Sequence, residues 1–358
     1  MKKFLKILLI ILIAIVLIAG IYVAYVMLSF DRIADNTELD VDNACVTNDP
    51  AAVGQEYKLT SWNIGFAAYL QDYTFFMDGG TESRARSKEA VLENMDNITA
   101  ELGNLASDFM FVQEADFDAT RSYHVDEREI LRDYFMQYSY VFAQNYDSPY
   151  LFYPFSNPHG ANKAGLVTLT SYNITEAVRR SLPIQDSFAK VLDLDRCYSV
   201  VKMPTDSGKE LVLINLHLSA YTTDPTICEQ QINMIFDTIQ EEYAKGNYVI
   251  CGGDFNMDIL GDSAGTFGVP MNDNASWCQP FPENEVPEHV SLIKPFDPEK
   301  KNPSCRNNDM PYTPGETFVC TIDGFLVTDN VEVISAEAVD EQFKYSDHNP
   351  VSLKFRLK

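Results

Sequence analysis

Chemically reactive polar residues stand at the ends of several apolar runs, and this pattern constrains the fold more than any other feature. Asp254 and Asn256 follow Gly252 and Gly253 at the end of the apolar run 248–251, and a glycine pair commonly ends a strand. Four more predicted strands end in the same way, and a sixth pair precedes the last strand: Asn63, Glu114, His217, Asp323 and Asp347-His348. A single polar strand end is usually a turn or a solvated terminus, but six together predict one polar cluster at one edge of the sheets.

The residue types of this cluster favour a particular chemistry. Carboxylates and amides without cysteine are hard oxygen ligands, which suit Mg²⁺, Mn²⁺ or Ca²⁺ better than zinc. The histidines, His217 and His348, supply groups that transfer protons near neutral pH. Together they indicate phosphoester hydrolysis, in which a cation neutralises phosphate charge while a carboxylate or histidine activates water.

Hydrophobic periodicity predicts a mixed α/β fold. Helices are predicted over 84–105, with Ser83 as the N-cap, over 127–137 and over 225–245. Most other connections run directly from strand to strand. This order favours two packed sheets over a singly wound parallel sheet.

The first 30 residues form a separate unit, predicted as a transmembrane anchor. Lys2, Lys3 and Lys6 precede an uncharged apolar run over 7–30, and about 20 apolar residues suffice to cross a bilayer. The lysines favour a cytoplasmic N-terminus, so the rest of the chain is expected outside. A cleaved signal peptide is the alternative, and it also implies export. Residues 31–56 are predicted as an acidic linker and residues 57–358 as the catalytic domain.

The charge of the chain limits its partners. The net charge is −25, with 52 acidic and 27 basic residues. Such a surface repels polyanions, so tight nucleic-acid binding is not expected, although bound divalent cations would still allow a nuclease. The seven cysteines form no C-x-x-C pair, which argues against a zinc ribbon or thioredoxin chemistry. We expect a monomer.

The chain resembles the endonuclease/exonuclease/phosphatase superfamily, which includes DNase I and the neutral sphingomyelinases. The resemblance covers about residues 57–358 and lies in motifs that occur in family order: Trp-Asn63, Val-Gln-Glu114, Asn-Leu-His217-Leu, Gly-Gly-Asp254-Phe-Asn256, Thr-Ile-Asp323-Gly and Ser-Asp347-His348-Asn-Pro. It implies a four-layer α/β sandwich, with two mixed β-sheets face to face and helices outside, here preceded by one transmembrane helix.

The resemblance also implies metal ligands. Glu114 would be the chief ligand, Asn63 would hold the metal or its water, and Asp347 would contribute to metal binding. The implied ion is Mg²⁺, with Mn²⁺ or Ca²⁺ as alternatives.

The resemblance further implies five catalytic residues. Asp254 would orient or deprotonate the attacking water, and Asn256 would hydrogen-bond the phosphoryl oxygen. His217 would donate to a non-bridging oxygen. Asp323 would hold His348, which would act as general base or oxyanion donor. Whether Asp254 or His348 takes the proton stays open.

Two further features have a structural and a functional interpretation. Arg84, Arg86 and, more weakly, Lys163 are candidates for binding the substrate phosphate, but the arginines could instead pair with Glu82 or Glu89. An aromatic and proline-rich segment over 146–158 could be a loop packed on the core or a lip that faces substrate or membrane.

Together these features predict a metal-dependent phosphodiesterase on the outer face of a membrane, acting on a lipid-like or small phosphoester. The alternatives are an extracellular DNase I-like endonuclease and a catalytically silent binding module of the same fold.

Overall fold

The computed structural model of the chain describes residues 2–29, 32–43, 50–185, 195–220 and 225–358. Residues 1, 30, 31 and 44–49 of the predicted anchor and linker lie outside the described residues. The first element is helix α1 (Lys2–Leu28), which is long and apolar enough to cross a membrane by length and composition. Nearly all of its side chains are exposed in the chain alone.

Eighteen strands and four more helices follow within the described residues. The helices are α2 (Lys88–Leu105), α3 (Glu127–Tyr134), α4 (Pro225–Ala244) and the short α5 (Ser263–Phe267). The strands in the first half are β1 (Thr37–Glu38), β2 (Val41–Asp42), β3 (Glu56–Asn63), β4 (Phe109–Asp116), β5 (Ser139–Asp147), β6 (Lys163–Thr170) and β7 (Glu176–Ser181). Those in the second half are β8 (Cys197–Pro204), β9 (Glu210–His217), β10 (Tyr248–Asp254), β11 (Met257–Asp258), β12 (Gln279–Pro280), β13 (Val290–Ile293), β14 (Cys305–Arg306), β15 (Val319–Cys320), β16 (Asp323–Thr328), β17 (Val331–Ala338) and β18 (Val351–Leu357).

Fourteen of these strands form two seven-stranded mixed sheets, which confirms the predicted fold class. The first sheet has the order β1-β7-β8-β9-β10-β16-β13, and the second has the order β17-β18-β3-β4-β6-β5-β2. Each sheet contains one parallel pair, β9 with β10 and β3 with β4. Parallel neighbours need a long crossover connection, and here α4 joins the first pair and α2 the second.

Three apolar clusters produce the four layers. Between the sheets, Leu59 and Phe109 share a core with Leu211, Leu213 and other buried residues of the facing sheet. The second sheet packs its outer face under α2 and α3, and the first sheet packs its outer face under α4. Consecutive residues of β9 therefore enter different cores, which explains why this strand is apolar without alternation.

The start of helix α2 differs from the sequence prediction. Helix α2 begins at Lys88, because Ser87 is the N-cap and accepts a hydrogen bond from the backbone nitrogen of Ala90 at 3.1 Å. Ser83 instead donates its hydroxyl hydrogen to the carbonyl of Asn157, far along the chain. The sequence prediction assigned the N-cap to the wrong serine. Each of the two serines directly precedes a charged residue and is a possible N-cap, and only tertiary contacts distinguish them.

The predicted linker also contributes to the sheets. Strand β1 pairs with β7 at the edge of one sheet, and β2 pairs with β5 at the edge of the other. The described part of this segment therefore packs along both sheets and covers an edge strand of each.

Candidate active site

Three adjacent strands place three of the predicted site residues in one row. In the register of the first sheet, Asp254 of β10 stands beside His217 of β9 on one side and Asp323 of β16 on the other. Gly253 makes this close approach possible. Its φ is +138°, and a Cβ atom there would collide with the carbonyl oxygen of Leu216, so a larger residue would displace Asp254 from the row.

His348 completes a cluster with the two carboxylates. Its Nδ1 atom lies 2.8 Å from Oδ2 of Asp323, and its Nε2 atom lies 3.7 Å from Oδ2 of Asp254. Ligand atoms of Asp254, Asp323 and His348 all lie within 4.8 Å of one another, and the three residues are buried. Residues almost 100 positions apart in sequence thus form one cluster of ionisable side chains.

The second sheet supplies Asn63 and Glu114 to the same place. The side-chain amide of Asn63 donates to Oε1 of Glu114 at 3.2 Å and to Oδ2 of Asp254 at 3.0 Å. Its carbonyl oxygen accepts the backbone N–H of Gly65. Asn63 therefore links a carboxylate from each sheet and orients both.

Backbone strain occurs at two of the site residues. Glu114 has φ +58° within an irregularity of the β4–β6 pairing, and Asn256 has φ +50°. Non-glycine residues rarely adopt this region, and such strain concentrates at functional sites. At Asn256 the backbone N–H donates to Oδ1 of Asp254 at 2.8 Å, and the side chain donates to the carbonyl of Leu218.

Asp347 also lines the site. Its Oδ2 atom accepts a hydrogen bond from Asn308 at 2.6 Å, and Ser346 lies 3.2 Å from its other oxygen. One cavity brings six of the eight predicted catalytic and metal residues to its lining: Glu114, His217, Asp254, Asn256, Asp347 and His348. The other two, Asn63 and Asp323, contact Asp254 and His348 respectively.

A second cavity adjoins the first and continues away from the catalytic cluster. The two share Tyr69, Glu114, Arg196 and His217. The second is otherwise walled largely by aromatic and apolar side chains, with Arg121 as a further cation. A substrate with a phosphate at Glu114 and His217 could therefore extend its remaining part along this cavity.

Burial and charge push the pKa values of the central groups apart. Burial raises the pKa of Asp254 to about 7, helped by the negative charge of Asp323 and opposed by His348. Burial lowers the pKa of His217 well below its usual value, and Arg196 and His348 lower it further. Burial opposes protonation of His348 too, but Asp323 and Asp254 outweigh it and raise its pKa well above the usual value. One histidine is thus neutral and the other charged near neutral pH.

The cations at the cavities differ from those selected by sequence. Arg86 donates to Asp72 and is paired with Glu82 at 3.2 Å, and Arg84 lies over the ring of Tyr123. The lining of the two cavities includes neither arginine, nor Lys163.

Three other arginines line the cavities instead. Arg196 lines both, Arg306 lines the catalytic cavity, and Arg121 lines the second cavity. Arg121 is buried over the ring of Phe66 and pairs with Asp116 at 2.9 Å. Sequence reasoning missed all three because none belongs to a recognisable motif: Arg121 lies in a 3-10 turn, Arg196 in a loop and Arg306 in a two-residue strand.

Comparison with known proteins identifies the family. The model of the endonuclease/exonuclease/phosphatase family matches residues 60–348, which is more than half of the chain. The chain belongs to this family. Its members are generally phosphoester hydrolases, and the geometry described above is that of a phosphoesterase site with a possible metal position. No curated protein sequence matches the chain significantly.

Several solved structures of other proteins share the fold of this chain at low sequence identity. An endonuclease/exonuclease/phosphatase protein from Beutenbergia cavernae is 15% identical, with TM-score 0.56, over 85% of this chain and 72% of the other. ANGEL2, a 2',3'-cyclic phosphatase, in complex with adenosine-2',3'-vanadate, is 14% identical, with TM-score 0.55, over 90% and 99%. TDP2 from D. rerio, complexed with single-strand DNA product, is 14% identical, with TM-score 0.52, over 84% and 99%.

The residues present fit a divalent cation. The catalytic cavity has carboxylate oxygens of Glu114 and Asp347 on its walls, and hard oxygen donors are the ligands that Mg²⁺ and Mn²⁺ prefer. Oδ1 of Asp323 is buried and has no hydrogen-bond partner among the described residues. This oxygen belongs to the group of Asp254, Asp323 and His348, which is a second possible metal position.

The buried charge of Asp254 has a consequence for stability. Its raised pKa means that the folded state binds this proton more tightly than the unfolded state, where the value is near 3.8. The stabilisation is therefore complete below about pH 4 and is lost as the pH rises through 7. Asp254→Asn removes the buried charge, so with a chelator at pH 8 we expect the free energy of unfolding to increase by roughly 1–3 kcal/mol.

Urea denaturation of wild type and Asp254→Asn at pH 8 and pH 4 measures this effect. The difference should become much smaller at pH 4, where the wild-type carboxyl is neutral in the folded state and only about half ionised in the unfolded state. The exposed Asp262 caps the short helix α5, so Asp262→Asn serves as a control and should show no such pH-dependent gain. A wild type at least as stable as Asp254→Asn at pH 8 would contradict the argument.

Proposed function

We propose that the chain is a divalent-metal-dependent phosphodiesterase that acts at the outer face of a membrane on a lipid-like or small phosphoester. The observation that carries the proposal is the row of His217, Asp254 and Asp323, with His348 in contact with Asp323, at a cavity walled by Glu114. Neighbouring groups whose environments drive their pKa values in opposite directions are typical of paired acid and base roles.

Asp254 is the proposed general base. Its pKa of about 7 leaves the carboxylate available near neutral pH and still basic enough to take a proton from water. Asn63 and the backbone of Asn256 occupy its two oxygens with hydrogen bonds and fix their direction. The attacking water would approach from the cavity, which Asp254 lines.

The two histidines have different proposed tasks. His348, held by Asp323 and positively charged, would donate a hydrogen bond to the phosphoryl oxygen on which charge develops. His217, neutral in its buried position, would donate through one ring nitrogen to a second phosphoryl oxygen. Its Nδ1 atom has no hydrogen-bond partner among the described residues.

Glu114, Asp347 and, through its hydrogen bonds, Asn63 are the proposed cation site. When bound, the divalent cation would neutralise the negative charge of the phosphoryl group. Asn63 would keep Glu114 in a fixed orientation, and Asn308 would do the same for Asp347.

The membrane assignment rests on α1 and the charge of the chain. The apolar helix follows three lysines, which favours a cytoplasmic N-terminus and a catalytic domain on the other side. The net charge of −25 disfavours a polyanionic substrate such as DNA. A tethered domain that faces outward has direct access to phospholipid head groups.

Loss of Glu114 should abolish hydrolysis. In the full chain with Mg²⁺ or Mn²⁺, Glu114→Ala and His348→Ala should each lower kcat/KM on bis(p-nitrophenyl) phosphate by at least about 100-fold. Chelation should have the same effect on wild type. Glu93→Ala, on the exposed face of α2, is the matched control and should retain activity. The proposal fails if both site variants hydrolyse as fast as wild type.

The same preparations should be assayed on sphingomyelin vesicles and plasmid DNA. We expect metal-dependent cleavage of the lipid and little cleavage of DNA. Cleavage of DNA alone would replace the lipid preference with a nuclease function.

Removal of the Asp323 charge should change the pH dependence. Because Asp323 helps to hold His348 protonated, Asp323→Asn should move the alkaline limb of kcat/KM to lower pH by about 1–3 units. The pH profile on the soluble diester measures this shift. Asp329, which contacts His289 at 2.9 Å on the surface, provides a matched control, and Asp329→Asn should leave the profile unchanged. An unchanged profile in Asp323→Asn would exclude the proposed role of His348.

The orientation can be tested on intact cells. Protease added outside should digest the catalytic domain while a cytoplasmic marker stays intact. Full protection of the domain in intact cells, with digestion after lysis, would show that the lysines do not set the proposed orientation.

A further inference from the structure

The loop between β5 and β6 exposes an unusual group of aromatic side chains. Phe152, Tyr153 and Phe155 are 50%, 62% and 85% exposed. Outside α1, the described residues include eight exposed large hydrophobic side chains, and these three lie within four positions. Clustered exposed aromatics mark an interaction surface more often than scattered ones do. We call residues 148–159 the aromatic loop.

The aromatic loop is attached to the far end of α1. The hydroxyl of Tyr22 donates to the carbonyl of Tyr150 at 3.1 Å and accepts the backbone N–H of Phe152 at 3.2 Å. The hydroxyl of Tyr25 accepts the N–H of Tyr150 at 3.2 Å. The rings of Tyr22 and Phe152 meet edge to face, with centroids 5.4 Å apart. Side chains of the helix thus satisfy two backbone N–H groups and one carbonyl of the loop.

The position of these contacts along α1 sets the depth of the loop. At 1.5 Å per residue, Tyr22 lies about 23 Å beyond Ile7, the first residue after the lysines, and Tyr25 about 27 Å beyond it. The hydrocarbon core of a bilayer is about 30 Å thick. A helix that crosses the bilayer with its lysines at one surface therefore places the loop backbone at the opposite boundary, where aromatic side chains are favoured.

The other side of the loop walls the second cavity. Tyr153 packs on Phe76 with ring centroids 5.7 Å apart, and Phe76 lies 5.8 Å from the ring of His159. His159 lines the cavity that also contains Glu114 and His217. A short series of ring contacts therefore joins the exposed aromatics to the lining of the second cavity.

We propose that the aromatic loop inserts into the outer leaflet beside α1 and holds the mouth of the second cavity at the level of the phospholipid head groups. The partner is a lipid surface, and zwitterionic lipids suit it best because the chain carries a net charge of −25. This inference rests on the proposed membrane-bound phosphodiesterase. Phe155 and its neighbours enter the acyl boundary, while the cavity behind them receives a phosphoester from the bilayer.

Depth-dependent fluorescence quenching tests the insertion itself. The full chain with Phe155→Trp is placed in phosphatidylcholine nanodiscs, with or without lipids brominated near the head group. The native Trp62 and Trp277 give the background, which wild type measures. The emission added by Phe155→Trp should be strongly reduced by the brominated lipid. Ile334→Trp, an exposed position on β17 at the other edge of the same sheet, should not be quenched. Equal quenching of the two variants would overturn the proposal.

Kinetics provide the second test. Phe155→Ser removes a large apolar side chain from the acyl boundary and should lower kcat/KM on nanodisc phospholipid by at least about tenfold. Hydrolysis of bis(p-nitrophenyl) phosphate should stay the same, because Phe155 lines neither cavity. Unchanged lipid hydrolysis by this variant would overturn the proposal. If wild type hydrolyses neither substrate, the proposed function fails, and the quenching result still decides whether the loop inserts.

Discussion

The site depends on polar contacts that join the two sheets at one edge. Gln113 of β4 donates to Asn215 of β9 at 2.8 Å, in a buried polar network that also includes Ser61 and Thr168. Asn63 then bonds Glu114 and Asp254, which belong to different sheets. Apolar packing alone would hold the sheets together without fixing their relative position, because it has no direction. Hydrogen bonds between buried amides and carboxylates do fix it, since a lost partner leaves a desolvated polar group.

The same edge concentrates charge that burial makes unfavourable. Asp254, Asp323 and His348 share one buried position, and Arg121 and Arg196 lie at the adjoining cavity. The fold tolerates this arrangement because each group has a partner from another strand, and because Gly253 lets β10 run close to β9. The strained backbone at Glu114 and Asn256 belongs to the same compromise between stability and function.

In the proposed function, the catalytic domain and the anchor act as one structural unit rather than as two parts joined by a flexible linker. Strands β1 and β2, from the segment after α1, pair with the edges of both sheets. The aromatic loop contacts α1 directly through Tyr22 and Tyr25. Short connections and direct contacts restrict the orientation of a domain more strongly than a flexible linker does. The cavity mouth would therefore face the bilayer in one orientation.

The family and the fold class were both predictable from sequence. Apolar runs that end in reactive polar residues can be recognised within a few residues of sequence. The motifs around Asp254 and His348, and their order along the chain, can also be read directly from the sequence. The structure confirms the two mixed sheets and brings six of the eight predicted catalytic and metal residues to one cavity. The roles of individual site residues stay predictions.

Local sequence alone determined the long strands, the main helices, the apolar helix at the N-terminus and the polar residues near the strand ends, because periodicity and composition act over a few residues. In the structure, Glu114 lies inside β4 rather than at its end, and Asp323 begins β16. Only tertiary structure decided that Ser87 rather than Ser83 caps α2, that Arg121, Arg196 and Arg306 line the cavities, and that the aromatic loop lies against Tyr22. These outcomes depend on contacts between segments distant in sequence, and such contacts exist only once both sheets have packed.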